Sequence, residues 1–204
     1  MEKKTSRLEA FSDGIFGVAI TLLAIEIGIS QYQNPTNLNL WERIFEKWGE
    51  YFAYFNSFAT VLLGWMGHHK ILNKIWKPNQ KIILANGLVL LILALFPFPT
   101  KTVGAFINTP AINTAVAFYC GYILIFVLSV TLLNWIIISQ PENVINAEKN
   151  IPWFKNQIKQ QIVAIIIYGL AVVLAFYTPY ISLGITFLMW VFWAVVTKDS
   201  DNDE

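Results

Sequence analysis

Charge is scarce in this chain. Only 13% of its 204 residues are Asp, Glu, Lys or Arg, against roughly 25% in an average soluble domain. So few charges cannot cover a soluble surface of this size, which argues against a cytosolic enzyme. Neither sign dominates: 14 basic and 13 acidic residues leave a net charge of +1, without the basic excess of a nucleic-acid binder. Cysteine is reduced to Cys120, so no internal disulfide is available, and Cys120 reads as an inert buried residue. Two histidines and one cysteine cannot build metal clusters. What is present instead is apolar bulk, 56% of residues, with a mean hydropathy of +0.53. The class that remains is an all-α integral membrane protein with several spans.

A spanning helix needs about 20 mostly apolar residues. Six candidates emerge: Phe11 to Ile29, Tyr51 to Met66, Ile82 to Phe98, a stretch within Ala111 to Ser139, Ile162 to Tyr177, and Ile181 to Val196. Pro97 and Pro99 are expected to end the third. Thr178-Pro179-Tyr180 separates the last two, which with five spans would be one over-long helix broken at Pro179. Basic residues in short loops set orientation. With six spans, eleven lie on one side (around Lys3 to Arg7, Lys70 to Lys81, Lys149 to Lys159, and Lys198) and three on the other (Arg43, Lys47, Lys101). Both termini are then cytoplasmic in a multi-pass cell-membrane protein. Five spans give ten against four, so the count alone does not decide. Residues 1–197 read as one six-helix transmembrane domain and 198–204 as a short acidic cytoplasmic tail. Trp41, Phe45 and Trp48 fall on one face of an interfacial helix, and Trp153-Phe154 reads as a belt anchor.

Polar residues inside spans are costly and mark function or pairing. They concentrate in the first three helices: Arg7, Ser12, Asp13, Thr21 and Glu26, then Trp65, His68 and His69, then Asn86. Helical geometry sorts the first of these. With Val18 at zero and about 100° per residue, Phe11, Ile15, Leu22, Ile25 and Ile29 all fall within about 60° of it. Asp13 falls near 220°, Thr21 near 300° and Leu23 near 140°. The result is one apolar stripe, with Asp13 facing away and needing donors from other helices. Lipid contact or ordinary packing also produces such a stripe. Thr21 beside it can bond the Gly17 carbonyl. His68 and His69 sit at the depth of Asp13. A brace of Ser12 and Asp13 to the histidines competes with a proton relay through the same groups, and two adjacent histidines supply too few ligands for a metal.

The segment Arg7-Leu8-Glu9-Ala10-Phe11-Ser12-Asp13 resembles the Arg-x-x-x-Phe-Ser-Asp signature of the transmembrane protein 175 family, lysosomal potassium channels and their prokaryotic relatives. Gly14 to Leu23 resembles that family's first helix. Trp65-x-x-His68-His69 is similar to the end of its second helix in prokaryotic members, and Asn86 with Pro97-Phe98-x-Thr100 to its third. The resemblance covers roughly the first half of the chain.

It implies six spans, cytoplasmic termini, and a homotetramer whose first helices line one pore without a Thr-Val-Gly-Tyr-Gly filter, a sequence this chain also lacks. It implies apolar constriction rings at Val18, Leu22 and Ile25, with Thr21 as the neighbouring selectivity candidate. Val18 departs from the isoleucine or leucine common at that ring in the family. Arg7, Phe11, Ser12, Asp13, Trp65, His68, His69 and Asn86 are assigned to the structural brace, and Glu26 to a cation-attracting pore mouth. The expected function is a potassium-permeable channel, open also to other monovalent cations or protons, with lipid around it, no nucleic-acid partner, no cofactor and no metal. The alternative is a proton-coupled secondary transporter using Asp13 and His68/His69. Against it stand the absence of internal repeats and of a proline in mid-span. A membrane enzyme would need a nucleophile or metal constellation, and none is visible.

Overall fold

The computed structural model describes residues 5–25, 27 and 37–199. Among these the chain is helical: α1 (Ser6–Ile25), α2 (Asn37–Glu46), α3 (Trp48–Asn73), α4 (Gln80–Ala94), α5 (Pro97–Phe106), α6 (Ile112–Ile138), α7 (Ala147–Ala175) and α8 (Pro179–Asp199), with a short 3-10 turn at Pro141–Asn143. Four stretches are long and apolar enough to cross a membrane: Ser6–Ile25, Gln80–Phe106, Ile112–Ile138 and Ala147–Ala175. α3 has the length, 26 residues, but its apolar character is diluted by Asn56, Ser57, His68 and His69. The apolar part of α8, Pro179–Val195, is shorter.

Local chemistry explains where the helices start and stop. Thr5 closes the first turn of α1, donating to Glu9 Oε1 at 2.7 Å. Asn79 caps α4 by accepting from the Ile82 amide at 3.1 Å, satisfying an otherwise orphaned donor. Pro97 does not terminate the third span, as the sequence suggested. It takes a first-turn position in α5, where a missing N–H costs nothing, and only Leu95 and Phe96 separate α4 from α5. Pro152 lies in the early part of α7 and does not end it. α7 starts well before Ile162, and α8 runs through Lys198 and Asp199, two residues the sequence reading gave to the tail. A break at Lys47 puts Trp48 on α3, apart from Trp41 and Phe45 of α2, whose rings stack at 6.1 Å.

Successive long segments reverse direction. At one end the α3–α4 and α6–α7 loops are stitched together: the Trp76 amide donates to Asn143 O at 2.8 Å and the Ile145 amide to Lys74 O at 2.9 Å. Asn79 and Gln140 bond alongside. At the other end Asn113 Nδ2 donates to Phe176 O at 2.6 Å. There α3 and α5 approach so closely that a Cβ on Gly49 would lie 2.0 Å from Ile107 Cγ2, which only glycine accommodates. α7 and α8 form a hairpin about the Thr178–Tyr180 turn rather than one broken helix, and Thr186 of α8 accepts from Asn56 Nδ2 of α3 at 2.8 Å. Phe154, expected at a membrane interface, is fully buried core. Trp153 carries the Lys74 ammonium 4.8 Å from its ring centroid.

Candidate functional site on the first helix

α1 has two unlike sides. Ser12, Phe16, Ala19 and Leu23 are buried against the rest of the bundle. The apolar stripe faces out: Val18 is 57% exposed, Leu22 39% and Ile25 74%. Phe11 is exposed with them and Ile15 is half-buried. The face predicted by helical arithmetic is therefore the face the subunit leaves uncovered. Gly14 and Gly17 lie on the same side, and nothing stands within 4 Å of where their Cβ atoms would be. Thr21 is exposed there, but its hydroxyl donates to Val18 O at 2.8 Å, one residue nearer than the Gly17 carbonyl expected. Leu23, placed off the stripe, belongs to the core with no exposure. Glu26 and Ile29 lie outside the described residues.

The inner side is held by a chain of polar contacts. Ser12 Oγ donates to Leu8 O at 2.8 Å. It therefore accepts from Asn86 Nδ2, at 3.1 Å. That fixes the amide orientation, so Asn86 Oδ1 faces His68 Nε2 at 2.6 Å and accepts its proton. Three helices, α1, α4 and α3, are joined by side chains buried in the core. The His68 ring also packs on Phe16, centroids 5.2 Å apart.

Asp13 is not bonded to a histidine. Its carboxylate accepts from Trp65 Nε1 at 2.8 Å, and the Trp65 ring in turn lies 5.8 Å from that of His69. The reason is position: Asp13 lies about 100° round the helix from Ser12, so it meets α3 one turn before His68. Arg7 and Phe11 are exposed and take no part in the brace within the subunit.

Sequence reasoning missed a second polar cluster. Ser57 Oγ lies 2.6 Å from Thr100 Oγ1 and 3.0 Å from Tyr119 OH, joining α3, α5 and α6. Thr100 closes the Pro97-Phe98-x-Thr100 motif, the one signal that pointed toward it. Asn134 donates to Gln161 at 3.2 Å between α6 and α7. Among the described residues no three His, Cys, Asp or Glu side chains come together.

These geometric features have counterparts in known proteins. Residues 7–97 match the family described as endosomal/lysosomal potassium channel TMEM175. A potassium channel of Chryseobacterium sp. is 30% identical over 192 residues, 94% of this chain and 93% of that one. The chain belongs to the TMEM175 family. A solved structure agrees over nearly the whole length: the lysosomal potassium-selective channel TMEM175 homolog from Chamaesiphon minutus superposes with a TM-score of 0.84 at 27% identity, covering 95% of this chain and 97% of that one. The human endosomal/lysosomal proton channel TMEM175 is 31% identical over 110 residues, 51% of this chain and 22% of that protein. This TMEM175 chain is accordingly a membrane protein of an ion-channel family and not an enzyme. The matched span, 7–97, contains α1 from its second residue on and every residue of the Ser12–Asn86–His68 chain.

Proposed function

We propose that four copies of this chain form a potassium-permeable cation channel with α1 lining the pore. The observation that carries this reading is the two-sidedness of α1. One side is bonded into the subunit, while Val18, Leu22 and Ile25 stand exposed in line on the other. Small residues beside the stripe support close approach by a second helix, because Gly14 and Gly17 have no neighbour inside the subunit that requires them. The potassium-channel names of the relatives at 30% and 27% identity support the permeant ion.

In this reading each α1 presents its stripe to a fourfold axis. Rings of Val18, Leu22 and Ile25 offer no ligands to replace hydration water and gate by dewetting. Thr21 is the selectivity candidate, and Glu26 would draw cations to the mouth. The six long helical paths, α1, α3, α4–α5, α6, α7 and α8, are the six spans. The basic loops at the stitched end support a reading in which that end and both termini are cytoplasmic. Asp13 and His68 are engaged with Trp65 and Asn86, which supports a brace over a proton-coupled transport relay. Protons are a second permeant species to test, since the human relative is named a proton channel.

The test is purified protein reconstituted in liposomes. A mass of four chains in detergent, with a bi-ionic reversal potential favouring potassium over sodium, is the expected result. A stable monomer or dimer, or the absence of cation flux, overturns it.

A further inference from the structure

The donor and acceptor order in the brace has an end. The Leu8 carbonyl can only accept, so Ser12 donates to it; Asn86 Nδ2 then donates to Ser12, and His68 Nε2 donates to Asn86 Oδ1. The neutral ring therefore presents Nδ1 as a bare acceptor. His68 is only 1% exposed, and Nδ1 has no partner. A buried acceptor left unpaired is costly, so a donor entering beside it has a gradient to exploit.

There is room for one. His68 lines a cavity between α3, α6, α7 and α8. Its volume is about 70 Å³, several times the roughly 10–15 Å³ that a single water requires. Its walls include the buried apolar groups Ile71, Ile123 and Phe126, with the Gln161 amide as a further polar group. Tyr168 and Trp193 also line it. Gly67 borders the cavity, and nothing lies within 4 Å of where its Cβ would be. An apolar, partly aromatic chamber with one convergent, unsatisfied acceptor has the composition of a small-ligand site.

We infer that this cavity binds a small aromatic hydrogen-bond donor of the phenol class, with the hydroxyl donating to His68 Nδ1 and the ring against Phe126. The site lies within one subunit, and none of its lining residues belongs to α1, so it is separate from the proposed pore. Because His68 orders Asn86 and through it Ser12, the ligand would rest on the last member of the chain that holds α1.

The probe is 4-fluorophenol, followed by fluorine NMR line broadening with the purified full-length protein in detergent micelles. Gly67→Leu fills the chamber without touching the polar chain, and 4-fluorotoluene keeps the ring but lacks the donor. The expected result is saturable broadening with the wild type, at least tenfold weaker binding to Gly67→Leu, and about tenfold weaker binding of 4-fluorotoluene to the wild type. Equal binding to wild type and Gly67→Leu overturns the location. Equal binding of the two probes overturns the role of Nδ1. No saturable binding to the wild type overturns the site, whatever the outcome for ion flux. Should Gly67→Leu fail to assemble, Val130→Phe, on the opposite wall, makes the same comparison.

Discussion

The bonded and bare sides of α1 differ in what a substitution can reach. On the bonded side every position answers to another helix: Leu23 to the core, Ser12 to Asn86, Asp13 to Trp65. On the bare side Val18, Leu22 and Ile25 stand exposed. A membrane helix does not gain by burying leucine against leucine as a soluble one does, because lipid is as apolar as the core. Packing and polar bonds therefore hold the inner side, and the outer side is left free for water, ions or a second chain.

Leu23→Ser should break this contrast most visibly. It removes a fully buried side chain and leaves a hydroxyl with a cavity, costing roughly 3 kcal/mol and abolishing a monodisperse peak in detergent chromatography. Asn86→Ala comes next. It removes the donor to Ser12 and the acceptor of His68 together, and membrane hydrogen bonds of this kind are worth roughly 0.6–1.7 kcal/mol each. The measurable consequence is a melting midpoint lowered by several degrees, with unchanged ion preference in whatever assembled protein remains. Loss of selectivity at normal stability would move the brace into the pore.

Leu22→Ser and Ile25→Ser sharpen the comparison from the other side. Their stability should change by less than about 0.5 kcal/mol, as at an exposed site, while potassium flux in liposomes rises several-fold through easier wetting of the ring. Discrimination against sodium should fall in the same variants. Ala24→Ser completes the series. It is exposed on α1 but off the stripe, and both melting and flux should match the wild type. A gain at Ala24 without one at Leu22 would put the pore on a different face.

The stripe was legible in the sequence because one helical period fixes the direction of every side chain along α1. The partners were not, because period says nothing of what stands opposite. Asp13 was correctly turned from Val18, yet its donor proved to be Trp65 rather than a histidine, a question of one turn along α3. Pro97 reads as a stop in sequence and serves as a start in the fold, since its neighbours resume helix at once. The first half of α7 carries Lys155, Lys159 and Gln161 among its apolar residues, which hides a continuous helix from a search for apolar runs. The Ser57–Thr100–Tyr119 cluster joins three distant segments, and no spacing announces it.

The stitch between the α3–α4 and α6–α7 loops bears on how the chain is made. Trp76 leaves the ribosome roughly 70 residues before Asn143, several seconds at roughly 5–20 residues per second. During that interval the first loop waits with its Trp76 amide and Lys74 carbonyl unclaimed by the second. Those backbone groups meet their partners only if α6 has crossed back and both loops have stayed on one side of the bilayer. The short ladder thus closes only on a chain whose two loops have reached the same side, and it stays open on one that has left them on opposite sides.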